Sequence, residues 1–387
     1  MINDIIPSLA LIFTGSAFSA TVAVFTRQSI LASYMLLGML CGPHGFALIG
    51  EQSLVDSIGS VGMIFLLFLA GLHLDPRNLG SMLKNAVMVT LGSSLAFAVL
   101  GFFVCYATGF SLLDASIIGV AMMFSSTLLG IKLLPSSMLH QDHIGEVIIS
   151  VLIVQDLLAI ATMLVMQNAG AVGYNPWDSV AVFLSLPALI LYAFLFERYV
   201  LTWLFQRFEP IREYLFVVAI GWCLSLSHIA ALLGMSHEIG AFIAGVAIAT
   251  GAISTYLAEC FNPIRDFFLV LFFFSIGASI KIHYLASIAV PIVALSAVVV
   301  AAKPFVYWLL LKPSEPVGVA WESGVRLGQA SEFSLIVAQI AFQSRLLSSQ
   351  GYGLVQAVVL VTFIVSSYWV SKRFESPNSM QSIDVED

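Results

Sequence analysis

The sequence predicts an all-α polytopic membrane protein: thirteen transmembrane helices, forming two inverted six-helix repeats joined by a linker helix, with broken crossing helices in the core. Three observations predict it. Hydrophobic residues make up 60% of the chain and charged residues 10%, against about 25% charged in a soluble globular domain. Apolar runs long enough to cross ~30 Å of hydrocarbon recur throughout, separated by short loops rich in Gly, Pro, Asp and Arg. Basic residues are also shared very unequally between alternate loops.

The runs fall near Ile5–Phe25, Ile30–Ile49, Leu54–Leu74, Met82–Tyr106, Ala115–Leu134, Ile144–Met166 and Val180–Phe205. Six more follow near Tyr214–Leu233, Ile239–Leu257, Ile264–Ile280, Tyr284–Leu311, Val317–Phe342 and Leu354–Val370. Loops after odd-numbered spans and the span ends that flank them, with the C-terminal tail, hold Arg27, Arg77, Lys84, Lys132, Arg198, Arg207, Arg212, Arg265, Lys312, Lys372 and Arg373. Loops after even-numbered spans hold only Lys281 and Arg345. Lys and Arg concentrate in cytoplasmic loops, so the N-terminus is expected outside, the C-terminus in the cytoplasm, and the number of crossings odd. Met1-Ile-Asn-Asp4 carries no basic residue, so a retained first helix is expected rather than a cleaved signal. Cys41, Cys105, Cys223 and Cys260 share no pairwise spacing and read as core fillers.

The chain repeats weakly. Leu66-Leu-Phe-Leu-Ala-Gly71-Leu-His-Leu-Asp75 in span three parallels Phe272-Phe-Phe-Ser-Ile-Gly277-Ala-Ser-Ile-Lys281 in span ten. The same offset of 206 residues takes Ser125 in span five to Ser331 in span twelve. Spans one to six and eight to thirteen then form two copies, one starting outside and the other inside. Inverted repeats of this kind bring broken helices together near the bilayer midplane. Chance similarity between two Phe/Leu/Gly-rich helices is the plainer alternative.

The residues with chemistry lie at mid-depth. Asp156 follows Gln155 in the otherwise apolar run Val147–Ala161, where an ionised side chain costs about 2.5–3.5 kcal/mol. A water-filled cavity, a cationic partner or a bound ion must offset that cost. Burial penalises an uncompensated negative charge, so a proton and a hard monovalent cation would compete to neutralise Asp156. Gln155 can add a carbonyl oxygen without charge. Lys303, which precedes Pro304 in span eleven, reads as the charge partner of Asp156 when no cation is bound; the plainer reading of Asp156 is a structural ion pair with that lysine.

Ser125-Ser126-Thr127 and Gln329-Ala-Ser331-Glu332 are small polar clusters where a lipid-facing helix would carry Leu or Ile. They read as interruptions facing a cavity, or as hydroxyls bonding within their own helices. Arg326 and Glu332 are six residues apart, too far around a straight helix to share a face. They read as structural or gating charges that need a broken span or partners elsewhere. Glu146 and His237-Glu238 lie at span ends and read as solvated end charges. No zinc-protease, paired-cysteine or phosphate-loop motif occurs. No His or second Asp stands at mid-depth as a catalytic partner for Asp156, so neither an enzyme nor a cofactor is expected. No basic domain for nucleic acid is present.

In the order in which they occur, several segments resemble the Kef-type monovalent cation:proton antiporters, the second cation:proton antiporter family. They are Leu36–Gly45, Phe65–Asp75, Phe124-Ser-Ser-Thr127, Val154-Gln155-Asp156, Gly240–Gly245, Leu271–Gly277 and Glu332-Phe333. The resemblance implies a homodimer in the cell inner membrane, with a core of spans four to six and eleven to thirteen moving against a dimerisation domain. It places the family's ion-binding aspartate on Asp156 and its core lysine on Lys303. It implies first-repeat dimerisation helices and the start of the core over 1–110, core helices over 111–170, and a linker helix over 171–212. Second-repeat dimerisation helices then occupy 213–282, second-repeat core helices 283–374 and a cytoplasmic tail 375–387. Members favouring Na⁺ carry tandem acidic residues where this chain has Gln155-Asp156, so K⁺ is expected first and Na⁺ second. The expected function is K⁺ (or Na⁺)/H⁺ antiport, with Asp156, Gln155, Ser125, Ser126 and Thr127 as the ion site. The alternative is a potassium channel of the same fold without proton coupling. The sequence ends without the nucleotide-binding domain that follows the last span in Kef systems, so a short form is expected.

Overall fold

The computed structural model describes residues 5–49, 51–72, 83–127, 130, 143–169, 176–208, 211–249 and 254–374. Every long element among them is helical. The helices are α1 (Ile5–Phe25), α2 (Ile30–Cys41), α3 (Gln52–Leu72), α4 (Leu83–Ala107), α5 (Leu112–Ala121), α6 (His143–Ala169) and α7 (Pro176–Phe196). A π turn, Glu197–Leu201, carries α7 into α8 (Thr202–Arg207). Then come α9 (Arg212–Leu232), α10 (His237–Ala249), α11 (Ser254–Ala278), α12 (Ile282–Leu285), α13 (Ala289–Leu311), α14 (Val317–Arg326), α15 (Glu332–Gln343) and α16 (Ser349–Arg373). Among the described residues, eight helices are long and apolar enough to cross a membrane, and four further apolar helices run 10–17 residues. The expected positions of Met1–Asp4, Leu74-Asp75, Arg77, Lys132 and the 375–387 tail lie outside the described residues, as does the side chain of Lys84.

Three span limits differ from expectation. Span two stops being helical at Cys41, where the Gly42 N–H returns to the Gly38 carbonyl at 2.7 Å and Pro43 follows. Span nine is helical to Ala249, residues 250–253 lie outside the described residues, and its expected end, Leu257, belongs to the next helix. The short tenth span is the second half of a 25-residue helix, Ser254–Ala278. Asn262, Arg265 and Asp266 lower its hydropathy and Pro263 removes one ladder bond, yet the helix runs on, because hydropathy reports solvation rather than helix ends. The turn expected between spans eight and nine is present, with Gly234 at φ +81°.

The chain divides into two compact units, one of Met1–Gln52, Met82–Met166 and Phe273–Asp387, the other of Ser53–Ser81 and Gln167–Phe272. Each contains a crossing in which two helices touch backbone to backbone. In the first unit a Cβ on Gly38 would lie 2.0 Å from the Phe274 carbonyl oxygen, and one on Gly277 2.0 Å from that of Met35. In the second, a Cβ on Gly71 would lie 2.3 Å from the Phe242 oxygen, and one on Gly245 2.1 Å from that of Phe68. No side chain fits at either crossing, the small-residue packing expected where lipid supplies no hydrophobic drive. In the second unit, Trp222 stacks on Phe196 at 5.0 Å and donates to the Ala244 carbonyl at 3.1 Å.

The first unit holds all of α4, α5 and α13–α16, together with nearly all of α6. Helix α13 packs on α4 and α14, while α15 packs on α5 and α16. Val89, Phe97, Val151, Leu152, Tyr307 and Leu327 form part of one buried cluster in this unit. That packing sets the two interrupted spans beside the carboxylate of α6.

Candidate functional site

Both expected interruptions are present. In span five, α5 tightens at its end, with Met122 N–H reaching Ile118 and Gly119 carbonyls and Met123 N–H reaching Val120. Phe124–Ser126 then leave the helix, and the Ser126 carbonyl accepts from Gly130 N–H at 2.9 Å to begin the next turn. In span twelve, α14 ends at Arg326 and α15 starts at Glu332. Ser331 caps α15, accepting from Phe333 N–H at 3.1 Å while Ser334 Oγ accepts from Ser331 N–H at 3.3 Å. This reciprocal pair is a capping box. Glu332 thereby sits in the first turn of a half-helix, where the macrodipole favours negative charge.

Helix α6 brings Gln155 and Asp156 against the first break. Thr127 Oγ1 donates to Asp156 Oδ1 at 3.1 Å. The adjacent Ser126 Oγ donates to Glu332 Oε2 at 2.6 Å. Consecutive hydroxyls thus hold one carboxylate each, and Glu332 is near enough to repel the charge on Asp156. Both carboxylate residues are 7% exposed. Ser126 and Glu332 are themselves 206 residues apart, the offset of the sequence repeat.

Gln155 spans the break. Its Oε1 accepts from Ser125 N–H at 3.0 Å, and its Nε2 donates to Tyr307 Oη at 2.7 Å and to the Met123 carbonyl at 3.3 Å. Tyr307 Oη also lies 3.0 Å from Ser125 Oγ.

Lys303 does not meet Asp156. Its buried ammonium donates to the Phe124 carbonyl, to the Gln329 carbonyl at 3.0 Å and more weakly to Ser125 Oγ at 3.4 Å. One carbonyl comes from each break, and the Phe97 ring lies 5.0 Å from Nζ. Backbone carbonyls freed by the interruptions are the partial negative charges that an ammonium can neutralise. Arg326 pairs with Glu322 one turn earlier, with contacts of 2.9 and 2.7 Å, and lies 5.5 Å from the Phe374 ring.

The structure thus gathers Ser125, Ser126, Thr127, Gln155, Asp156, Lys303 and Glu332 around the two breaks. It pairs Arg326 with Glu322, a partner the sequence reading did not single out. Sequence reasoning also missed Tyr307, Thr362 and Ser366. Ala330 N–H donates to Thr362 Oγ1 at 3.2 Å, and Ser366 Oγ donates to Gln329 Oε1 at 3.1 Å. Helical spacing was the available signal: Tyr307 is four residues from Lys303 and Ser366 four from Thr362, so each pair shares a helix face.

An apolar helical bundle with two interrupted spans meeting around buried carboxylates and an ammonium is the construction of a secondary transporter. The chain belongs to the family described as sodium/hydrogen exchanger, transmembrane, whose model matches residues 9–373. It is similar to the iron transporter MagA of Paramagnetospirillum magneticum, with 28% identity over 89% of this chain and 80% of that protein. It is 27% identical to K(+) efflux antiporter 5 of Arabidopsis thaliana over 94% of this chain and 65% of that one. With the glutathione-regulated potassium-efflux protein KefC of Salmonella arizonae it shares 28% identity, covering 85% of this chain and 54% of KefC. The chain therefore spans just over half to two thirds of these two efflux relatives. Its fold is that of the sodium proton antiporter MjNhaP1 of Methanocaldococcus jannaschii, at a TM-score of 0.71 and 16% identity, covering 94% of this chain and 98% of that one. The chain is thus a multi-pass membrane member of the sodium/hydrogen exchanger family, similar in sequence to the Kef-type efflux proteins.

Proposed function

We propose that the protein exchanges K⁺, or Na⁺ as second choice, for H⁺ by alternating access, with both ions competing for Asp156. One observation carries this reading: Asp156 is buried beside the hydroxyls of the first break while the neighbouring ammonium is engaged by backbone carbonyls. Its charge is thus left to be balanced by a transported ion. Carboxylate and hydroxyl oxygens suit a hard cation, and Glu332 nearby raises the cost of leaving Asp156 ionised and empty. Gln155 before Asp156, in place of a second acid, favours K⁺, as do the efflux relatives. A channel would not need proton competition at a single carboxylate.

The architecture proposed with this mechanism is a homodimer in the cell inner membrane, N-terminus outside, with thirteen crossings in two inverted repeats. The eight long helices supply eight crossings. Spans two, five, nine, ten and twelve supply the rest from short, interrupted or polar-ended helices. The backbone crossings at Gly38/Gly277 and Gly71/Gly245 support the repeat, because Gly71 and Gly277 are related by the same offset of 206 residues. Core helices at 111–170 and 283–374 would move against the rest.

The test is dissipation of a pH gradient in proteoliposomes with K⁺, Na⁺, Li⁺ and Rb⁺. Exchange is expected with K⁺ strongest, and Asp156→Asn is expected to abolish it. Competition requires the apparent KM for the cation to rise as pH falls, with the limiting rate unchanged. Exchange surviving in Asp156→Asn would refute the mechanism.

A further inference from the structure

Gln155 adjoins the proposed ion-binding carboxylate, and its hydrogen bonds decide whether it is a ligand or a support. A primary amide offers two N–H donors and one carbonyl oxygen. Its oxygen meets a backbone N–H of Ser125, its nitrogen a backbone carbonyl of Met123. Only one orientation of the amide satisfies both contacts, so the usual ambiguity between O and N is absent. The remaining N–H goes to Tyr307 Oη at 2.7 Å.

Tyr307 is wholly buried, with its ring 5.3 Å from that of Phe97. Its hydroxyl has one proton to give and two lone pairs to offer. Gln155 Nε2 donates to it, and Ser125 Oγ lies 3.0 Å away as a second hydrogen-bond partner. Ser125 Oγ also accepts from the Lys303 ammonium at 3.4 Å. Both N–H groups of Gln155 and one lone pair of its oxygen are thereby committed to the protein, which fixes the amide beside Asp156.

We infer that Tyr307 is a positioning residue for the ion site: it anchors Gln155 as a strut between α6 and the first break, and so sets Asp156 against Thr127. This rests on the reading of Asp156 as the ion-binding group. Tyr307→Phe keeps the ring and its contact with Phe97 and removes only the oxygen. It is expected to raise the apparent KM for the transported cation about tenfold with the limiting rate within about twofold. Gln155→Met should raise KM by a similar factor, and the double variant should add little to either, the signature of two residues acting as one.

An unchanged KM in Tyr307→Phe, or factors that multiply in the double variant, would overturn the inference. So would equal losses of KM and limiting rate with a lowered melting temperature. Asp156→Asn in the same vesicles separates the two ideas. If it still exchanges ions, the reading of Asp156 is wrong. If it is inactive while Tyr307→Phe is normal, only the role of Tyr307 fails.

Discussion

In the break of span five the buried Ser125 N–H is met by Gln155, and in that of span twelve the Ala330 N–H is met by Thr362. Each cap comes from the last long helix of its own half of the sequence, α6 or α16. The residues that follow the caps differ. Asp156 comes after Gln155, whereas buried Phe363 comes after Thr362. In span twelve the acid lies on the interrupted chain itself, as Glu332 at the start of α15. The backbone problem created by interrupting a helix is thus solved twice with neutral groups. A carboxyl group next to the capping residue, on the capping helix itself, was added on one side only. A carboxylate carried by an intact helix is held by the whole helix, which favours fixed geometry at the proposed ion site.

The largest expected effect comes from the group the two breaks share. Lys303→Met would leave the Phe124 and Gln329 carbonyls without their donor, and each such buried acceptor costs about 1–3 kcal/mol. Thermal unfolding of the purified protein should show a clear loss of stability, and an unchanged melting temperature would mean the ammonium does not tie the breaks together. Next in size is Thr127→Val, which removes a hydrogen bond to a carboxylate worth about 1.5–3 kcal/mol. The apparent KM for the cation should rise tenfold or more with little change in melting temperature. The smallest is Thr362→Val, which strips the cap from the second break. It should cost about 1 kcal/mol of stability and leave the KM for the cation within twofold. If Thr362→Val changed KM as much as Thr127→Val does, the functional asymmetry between the breaks would be lost.

Much of the site was legible in the sequence because mid-membrane polarity is expensive. Asp156, Lys303 and Glu332 stand out against Leu, Ile and Val, and the Ser/Thr clusters mark where the helices are interrupted. The pairing of these charges was less legible. Lys303 was expected opposite Asp156, since formal charges are the only electrostatics a sequence displays. The structure gives Lys303 two carbonyl groups instead, which become negative poles only once the helices break. Arg326 found its partner in Glu322 by ordinary i,i+4 spacing, a local rule that applied because α14 ends just there. Tyr307 escaped notice beside Trp308 in Tyr307-Trp-Leu-Leu-Leu311, a run that resembles the aromatic belt of a membrane interface.

Hydropathy, charge bias and costly polar residues in apolar runs determined by themselves that the chain is a polytopic membrane protein with its mid-membrane polar residues on spans five, six, eleven and twelve. Each of these signals is a one-body solvation energy, readable residue by residue. Which hydroxyl serves which carboxylate, and which side chains brace the two breaks, was decided only by tertiary structure. Those are directional contacts between residues from 29 to 206 positions apart, and their energies depend on distances and angles that exist only once the helices have packed.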